Sequence, residues 1–209
     1  MTGFLFIRHA HCGPVGRAIS GRTPGVHLST QGRVQADELA DRLSGLAISA
    51  IYSSPLERAL ETAAPLASKL AMPVQQAPGL LELDFGRWTG KALDELRGET
   101  EWTKFNTFRS GARIPGGESM PEVLVRALDA VEQIGRVHPG TQLVAVVSHG
   151  DVLRSLLVYY LGMPLDLLFR LEISPASVSV VDLLEHGPEV LAVNSTGDLP
   201  VPIASRWKR

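Results

Sequence analysis

Gln142-Leu143-Val144-Ala145-Val146-Val147-Ser148-His149-Gly150 decides how this chain is read. Five apolar residues run without a break and stop at a serine, a histidine and a glycine. Such a run fits a short strand buried on both faces of a sheet. Phe4-Leu5-Phe6-Ile7 repeats the pattern and stops at Arg8-His9. Two buried strands therefore each deliver a histidine to their C-terminal ends. Ala50-Ile51-Tyr52 is a third apolar run, punctuated by Ser53-Ser54-Pro55 and followed by Arg58. In open α/β sheets ligands bind beyond the C-terminal ends of the strands. The convergence of His9, His149 and Arg58 on such ends is the main functional signal.

Helical stripes separate these strands. Ser29 or Thr30 can cap a helix to about Leu43, with Ala36, Leu39, Ala40 and Leu43 on one face. Ser54 as N-cap and Pro55 as first helical residue predict a second helix, striped by Leu56, Ala59, Leu60, Ala63, Ala67 and Leu70. Met72-Pro73 closes it, and residues 74–76 read as a short strand. Apolar positions 120, 123, 124, 127, 131 and 134 predict a longer helix from about Ser119 to Val137. Residues 151–161 predict another helix. Residues 178–184 and 190–193 read as late strands joined through His186-Gly187-Pro188. Residues 11–27 and 89–117 are irregular. The tail after Ser195 is rich in turn formers and is expected to lie loosely on the surface. The expected fold is α/β: a three-layer sandwich with a mostly parallel central sheet and helices on both faces.

The chain has 209 residues, so one domain is the leading expectation at about 150 residues per domain. Hydrophobic residues at 44% and charged residues at 20% suit an ordinary globular core. Twenty Lys and Arg against 22 Asp and Glu give a net charge of −2, which argues against a nucleic-acid partner. Cys12 is the only cysteine. One thiol excludes an intramolecular disulfide, a four-cysteine zinc site and an iron–sulfur cluster built from this chain alone. No run of about 18 apolar residues predicts a membrane span. Arg8 and His9 interrupt the first apolar run too early for a signal peptide, so a cytoplasmic location is the default expectation.

Single residues have ordinary readings. Arg8-His9 alone is a basic pair at a strand end. Arg58 alone is a solvated helix arginine that Glu57 and Glu61 could occupy. Glu82, flanked by leucines in Leu80-Leu81-Glu82-Leu83, is either an exposed strand residue or a half-buried carboxyl whose pKa is raised toward neutrality. The second state suits a general acid. Gly150 after His149 lets backbone approach a ligand closely.

Taken in order, the motifs resemble one family. Arg8-His9-Ala10, Ser54-Pro55-Leu56-Glu57-Arg58-Ala59, Glu82 with Phe85-Gly86-x-Trp88-x-Gly90, and Ser148-His149-Gly150 resemble the histidine phosphatase superfamily, also called phosphoglycerate-mutase-like. Arg22-Thr23-Pro24-Gly25, Leu28-Ser29-x-x-Gly32-x-x-Gln35-Ala36 and Pro115-Gly116-Gly117-Glu118-Ser119 fit the same pattern. The resemblance implies that His9 is the nucleophile that becomes phosphohistidine. It implies a phosphate pocket of Arg8, Arg58 and His149, with Gly150 and Arg22 beside it, and Glu82 as proton donor to the leaving group. No metal and no organic cofactor are implied. Residues 1–195 are then a single catalytic domain and residues 196–209 a tail. A phosphorylated small molecule is the implied partner, and a homodimer is compatible with the family. Nearby Arg8 and Arg58 should also lower the pKa of His9 and keep it neutral for attack.

Mutase members usually follow the first motif with an acidic residue, Ser, then Trp-Asn, where this chain has His11-Cys12-Gly13-Pro14. That departure favours a phosphatase over a phosphomutase, the runner-up. A non-catalytic module that binds a phosphorylated ligand is the alternative of a different class. His9-Ala10-His11 also resembles the metal pair of barrel hydrolases, which needs more ligands and about 250 residues. Cys12 as a cysteine-phosphatase nucleophile needs an arginine after five intervening residues, whereas Arg17 follows after four. Arg22 and His27 lie in the loop expected to border the substrate.

Overall fold

The computed structural model describes residues 2–13 and 18–207. Six strands form one sheet: β1 (Thr2–Arg8), β2 (Ile48–Ser53), β3 (Val74–Gln76), β4 (Gln142–Ser148), β5 (Val178–Leu184) and β6 (Gly187–Ser195). Their order is β3-β2-β4-β1-β5-β6. The first four run parallel, and β5 and β6 are an antiparallel pair on the β1 edge. The sheet is thus mostly parallel, as expected.

The principal helices are α1 (Thr30–Leu43), α2 (Glu57–Leu70), α5 (Met120–Val137) and α6 (Gly150–Tyr160). Two short ones, α3 (Leu93–Leu96) and α4 (Thr100–Thr107), lie in the irregular segment, and α7 (Val201–Ala204) lies in the tail. Side chains alternate across a strand, so each strand feeds both faces. Phe4 and Phe6 join a core with Val131 of α5 and Leu153 of α6. Leu5 and Ile7 join the opposite core with Leu39 of α1 and Leu66 of α2. That alternation makes three layers.

The Ser29 hydroxyl accepts the Gly32 N–H at 3.0 Å and caps α1 as predicted. A capping box of Ser119 and Glu122 opens α5. The start of α2 differs from the sequence reading. Its first helical residue is Glu57, and Ser54 lies outside it. The tail differs as well. Ile203 and Trp207 are buried in the α1/α2-side core, and the Trp207 carbonyl accepts the Ala47 N–H. Arg206, expected to be solvated, pairs at 2.7 Å with Asp182, which is fully buried. Apolar area and one buried carboxylate hold this segment down, which composition alone does not signal. Lys208 and Arg209 lie outside the described residues.

Candidate active site

Parallel pairing sets Arg8 beside Ser148 and Ser53 beside Val147. The residues that follow β1, β2 and β4 therefore share one sheet edge. His9 and His149 meet there with ring centroids 5.1 Å apart.

His9 is buried, and its Nδ1 lies 2.8 Å from the Ala10 carbonyl oxygen. A carbonyl only accepts, so the proton sits on Nδ1 and the lone pair on Nε2. Burial, then Arg58, then Arg8 push the imidazole pKa down to about 3. The ring is neutral, as the sequence predicts, but burial outranks the two arginines as the cause. The Ala10 N–H donates to the Thr62 hydroxyl at 2.9 Å, which donates to the Arg58 carbonyl at 2.6 Å. Thr62 so fastens the histidine loop to α2.

Arg58 is 2% exposed. Its Nη2 donates to the Gly21 carbonyl at 2.8 Å, and its Nη1 has no partner among the described residues. Glu57 and Glu61 do not occupy it. Glu57 accepts the Gly25 N–H, and Glu61 accepts from His27 and from the Leu28 N–H. Arg8 donates through Nη1 to the Ile173 carbonyl, and its Nε is likewise buried without a partner. A Cβ built on Gly150 would lie 3.3 Å from Arg154 Nη1 and 3.4 Å from Arg8 Nε, so both guanidinium groups lie against the start of α6.

His149 is fully buried, which drives its pKa well below the usual value, helped by His9 and Arg58. Its Nε2 lies 2.7 Å from the Ser54 hydroxyl. Ser54 accepts the Leu56 N–H at 3.4 Å and keeps its own proton for His149. The remaining histidine proton then sits on Nδ1, which has no hydrogen-bond partner among the described residues. Ser54 is thus a site residue that the Ser-Pro signal misassigned to a helix cap.

Glu82 follows a 3₁₀ turn at Pro78–Leu80 rather than lying on a strand. Its side chain is 15% exposed, with one carboxylate oxygen 3.9 Å from His149 Nδ1. Burial, reinforced by the Asp151 charge, raises its pKa to about 7 against the pull of Leu83 N–H, Arg58 and Arg8. The half-buried reading of Glu82 is the one realised.

Arg22, expected at the phosphate, is engaged elsewhere. Its Nε donates to the Glu82 carbonyl oxygen at 2.8 Å, and its Nη2 meets Glu118 at 2.9 Å. His27 is mostly exposed and paired with Glu61. His11 turns its Nδ1 to the Ser29 hydroxyl at 2.8 Å. Among the described residues no three His, Cys, Asp or Glu side chains gather in a metal-binding group. Cys12 is buried, and burial raises its thiol pKa, the wrong direction for a nucleophile. Arg17 lies outside the described residues.

Arg109, in the irregular segment, stands in no motif that singles it out. It is 2% exposed, and its guanidinium carbon lies 4.2 Å from the Phe105 ring centroid and 4.5 Å from that of Phe169. Asp151, in the first turn of α6, lies 3.5 Å from both Arg109 and Arg154.

Arg8 Nε, Arg58 Nη1 and His149 Nδ1 are thus buried donors of one site without acceptors among the described residues. Leaving one such donor unmet costs roughly 1–3 kcal/mol. A doubly charged oxyanion with several acceptor oxygens matches the set, and the N-terminus of α6 favours it further.

Known proteins share this chain's sequence pattern and fold. The model of the histidine phosphatase superfamily (branch 1) matches residues 4–196. A phosphoserine phosphatase 1 of Hydrogenobacter thermophilus is 30% identical over 200 residues, covering 94% of this chain and 93% of that protein. A probable phosphoglycerate mutase of Enterobacter sp. is 35% identical over 161 residues, covering 76% and 74%. The crystal structure of an Entamoeba histolytica phosphoserine phosphatase mutant in complex with phosphoserine superimposes with a TM-score of 0.85 at 26% identity, covering 96% of this chain and all of that one. The fold, the order of the motifs and these likenesses agree: the chain belongs to the histidine phosphatase superfamily, branch 1.

Proposed function

We propose that this protein hydrolyses phosphate monoesters of small molecules through a phosphohistidine on His9, without a metal ion. The observation that carries the reading is a neutral His9, its Nε2 lone pair free, beside buried donors on Arg8, Arg58 and His149. Those donors bind the phosphoryl oxygens at the start of α6. The His9 Nε2 lone pair attacks phosphorus while the bond to the leaving oxygen breaks. Glu82 gives its proton to that oxygen. Its carboxylate then takes a proton from a water whose oxygen attacks the phosphohistidine. The phosphorus–nitrogen bond breaks, inorganic phosphate leaves, and both groups return to their starting states. Positioning and electrostatics dominate phosphoryl transfer, so a pocket of fixed cations suits it.

Arg22 does not touch phosphate in this mechanism. It supports the Glu82 backbone. A phosphomutase would use the same first step and return the phosphoryl group to a second hydroxyl instead of water. The likeness to a probable mutase favours that reading, and His11-Cys12-Gly13-Pro14 after the first motif favours the hydrolase. A module that only binds a phosphorylated ligand would show binding without turnover.

The test compares an activated aryl phosphate with an alkyl phosphate in Glu82→Gln. Loss of the acid should lower kcat for the alkyl ester about 10²-fold or more and for the aryl ester far less. Equal losses would remove Glu82 from the leaving-group step.

A further inference from the structure

We propose that Glu118 is a positioning residue for Glu82, holding Arg22 and Arg126 so that both guanidinium groups donate to the Glu82 carbonyl oxygen. The inference rests on Glu82 acting as the leaving-group acid. The Glu82 carboxylate receives one hydrogen bond among the described residues, from its neighbour Leu83 N–H at 2.9 Å. Its position is therefore set by its backbone. That backbone is gripped from two elements. Arg22, from the first loop, donates Nε to the Glu82 carbonyl at 2.8 Å. Arg126, on α5, donates Nη2 to the same oxygen at 3.1 Å and Nη1 to the Gly79 carbonyl at 2.8 Å.

Glu118 joins the two arginines. Its carboxylate accepts Arg126 Nε at 2.9 Å and Nη2 at 3.0 Å, and lies 2.9 Å from Arg22 Nη2. It also accepts the Asp84 N–H at 3.0 Å, and its own N–H donates to the Asp84 carbonyl. Its side chain is 19% exposed and that of Arg126 21%, so solvent is a poor substitute for these partners. Burial opposes its charge, but the Arg126 hydrogen bond, the Asp84 N–H and then the Arg126 and Arg22 charges keep the Glu118 carboxyl below the usual range, so it is charged at neutral pH.

The surrounding backbone leaves no room to move. A Cβ on Gly117 would lie 2.3 Å from the Asp84 carbonyl oxygen, and one on Gly86 would lie 2.4 Å from that of Pro115. Residues 115–118 and 84–86 are in direct main-chain contact. Residues 79, 82 and 84 are thus each tied to Arg126 or Glu118. A misplacement of about 1 Å in a reacting group can cost ~10²-fold in rate, which gives such a clamp a function beyond folding.

A double-mutant cycle of Glu118→Gln with Glu82→Gln, read with alkyl and activated aryl phosphates, tests this. Glu118→Gln should lower kcat for the alkyl ester about tenfold, with a smaller loss for the aryl ester. In the Glu82→Gln background it should change the alkyl rate by less than about twofold, because the group it positions is gone. Parallel losses on both esters, or the full effect persisting in the Glu82→Gln background, would make Glu118 merely structural and overturn the proposal. If Glu82→Gln alone fails to discriminate between the esters, the acid assignment falls and the proposal with it. Discrimination there but not in Glu118→Gln sinks the positioning role alone. Should Glu118→Gln not fold by thermal melting, Arg126→Lys enters the same cycle with the same expectations.

Discussion

His9 and Glu82 depart from their ordinary ionisation in opposite ways for one reason. Burial disfavours charge on each, so the base stays unprotonated and the acid keeps its proton. That is the pair of states the first step of the proposed mechanism needs. The pH dependence follows. kcat/KM for an alkyl phosphate should fall above about pH 7, as Glu82 loses the proton it must give. A fall near pH 6 on the acid side belongs to the second ionisation of the phosphate monoester itself, since His9 takes up a proton only near pH 3. Pre-steady-state rates across pH 5 to 9 check this, and an alkaline limb that survives in Glu82→Gln would contradict it. The convergence of His9, His149 and Arg58 was legible because each follows the end of an apolar run, whereas Glu82, set among leucines, had two open readings that the resemblance ranked. Ser54 reads as a helix cap and Arg22 as a neighbour of the phosphate, while the contacts they make are tertiary. A serine before proline reads equally well as a helix cap, and only the fold shows that its hydroxyl faces His149.

At the scale of elements, α1 fastens the start of the histidine loop. The N-terminal half of α1 and its cap grip His11, two residues past His9: Gln35 accepts the His11 N–H at 2.9 Å, and the Ser29 N–H donates to the His11 carbonyl at 3.0 Å. Gly32 makes that approach feasible, because a Cβ there would lie 1.9 Å from the His11 carbonyl oxygen. Gly32→Ala should therefore displace the loop, destabilise the fold by about 1–3 kcal/mol and lower kcat. Denaturant unfolding and turnover on one preparation check it, and a variant of wild-type stability and activity would contradict it. The strands and α1, α5 and α6 were readable from period and capping. The start of α2 was not, since Ser54 prefers a tertiary partner over its local one. The short helices of 93–107 were also weak, because fewer than three turns carry little periodicity.

On the scale of the whole molecule, the sheet order places the ends of β1, β2 and β4 side by side, and all the chemistry follows from that adjacency. The apolar runs predicted the strands, but their order and the docked tail depend on tertiary burial that no local pattern encodes. Gathering buried ionisable groups at one edge also ties stability to pH. At pH 5.5 unfolding lets His9 and His149 take up protons and lets Glu82 release one. The unfolded chain gains a net proton from the three. Stability should therefore fall between pH 6.5 and 4.5, with a slope from these groups that reaches about 2 kcal/mol per pH unit at the acid end. Glu82→Gln removes the opposing contribution and should steepen the fall. Denaturation midpoints at pH 5 and 6.5 check this, and a shallower dependence in the variant would contradict it.

The most direct test of the central claim is phosphoryl capture on His9. Wild type and His9→Ala are mixed rapidly with a radiolabelled activated aryl phosphate in excess chelator, and acid-labile protein-bound phosphate is measured alongside product. Turnover and capture in wild type, with both lost in a folded His9→Ala, is the predicted result. Turnover that survives in His9→Ala, or activity that disappears with the chelator, would contradict a metal-free phosphohistidine mechanism.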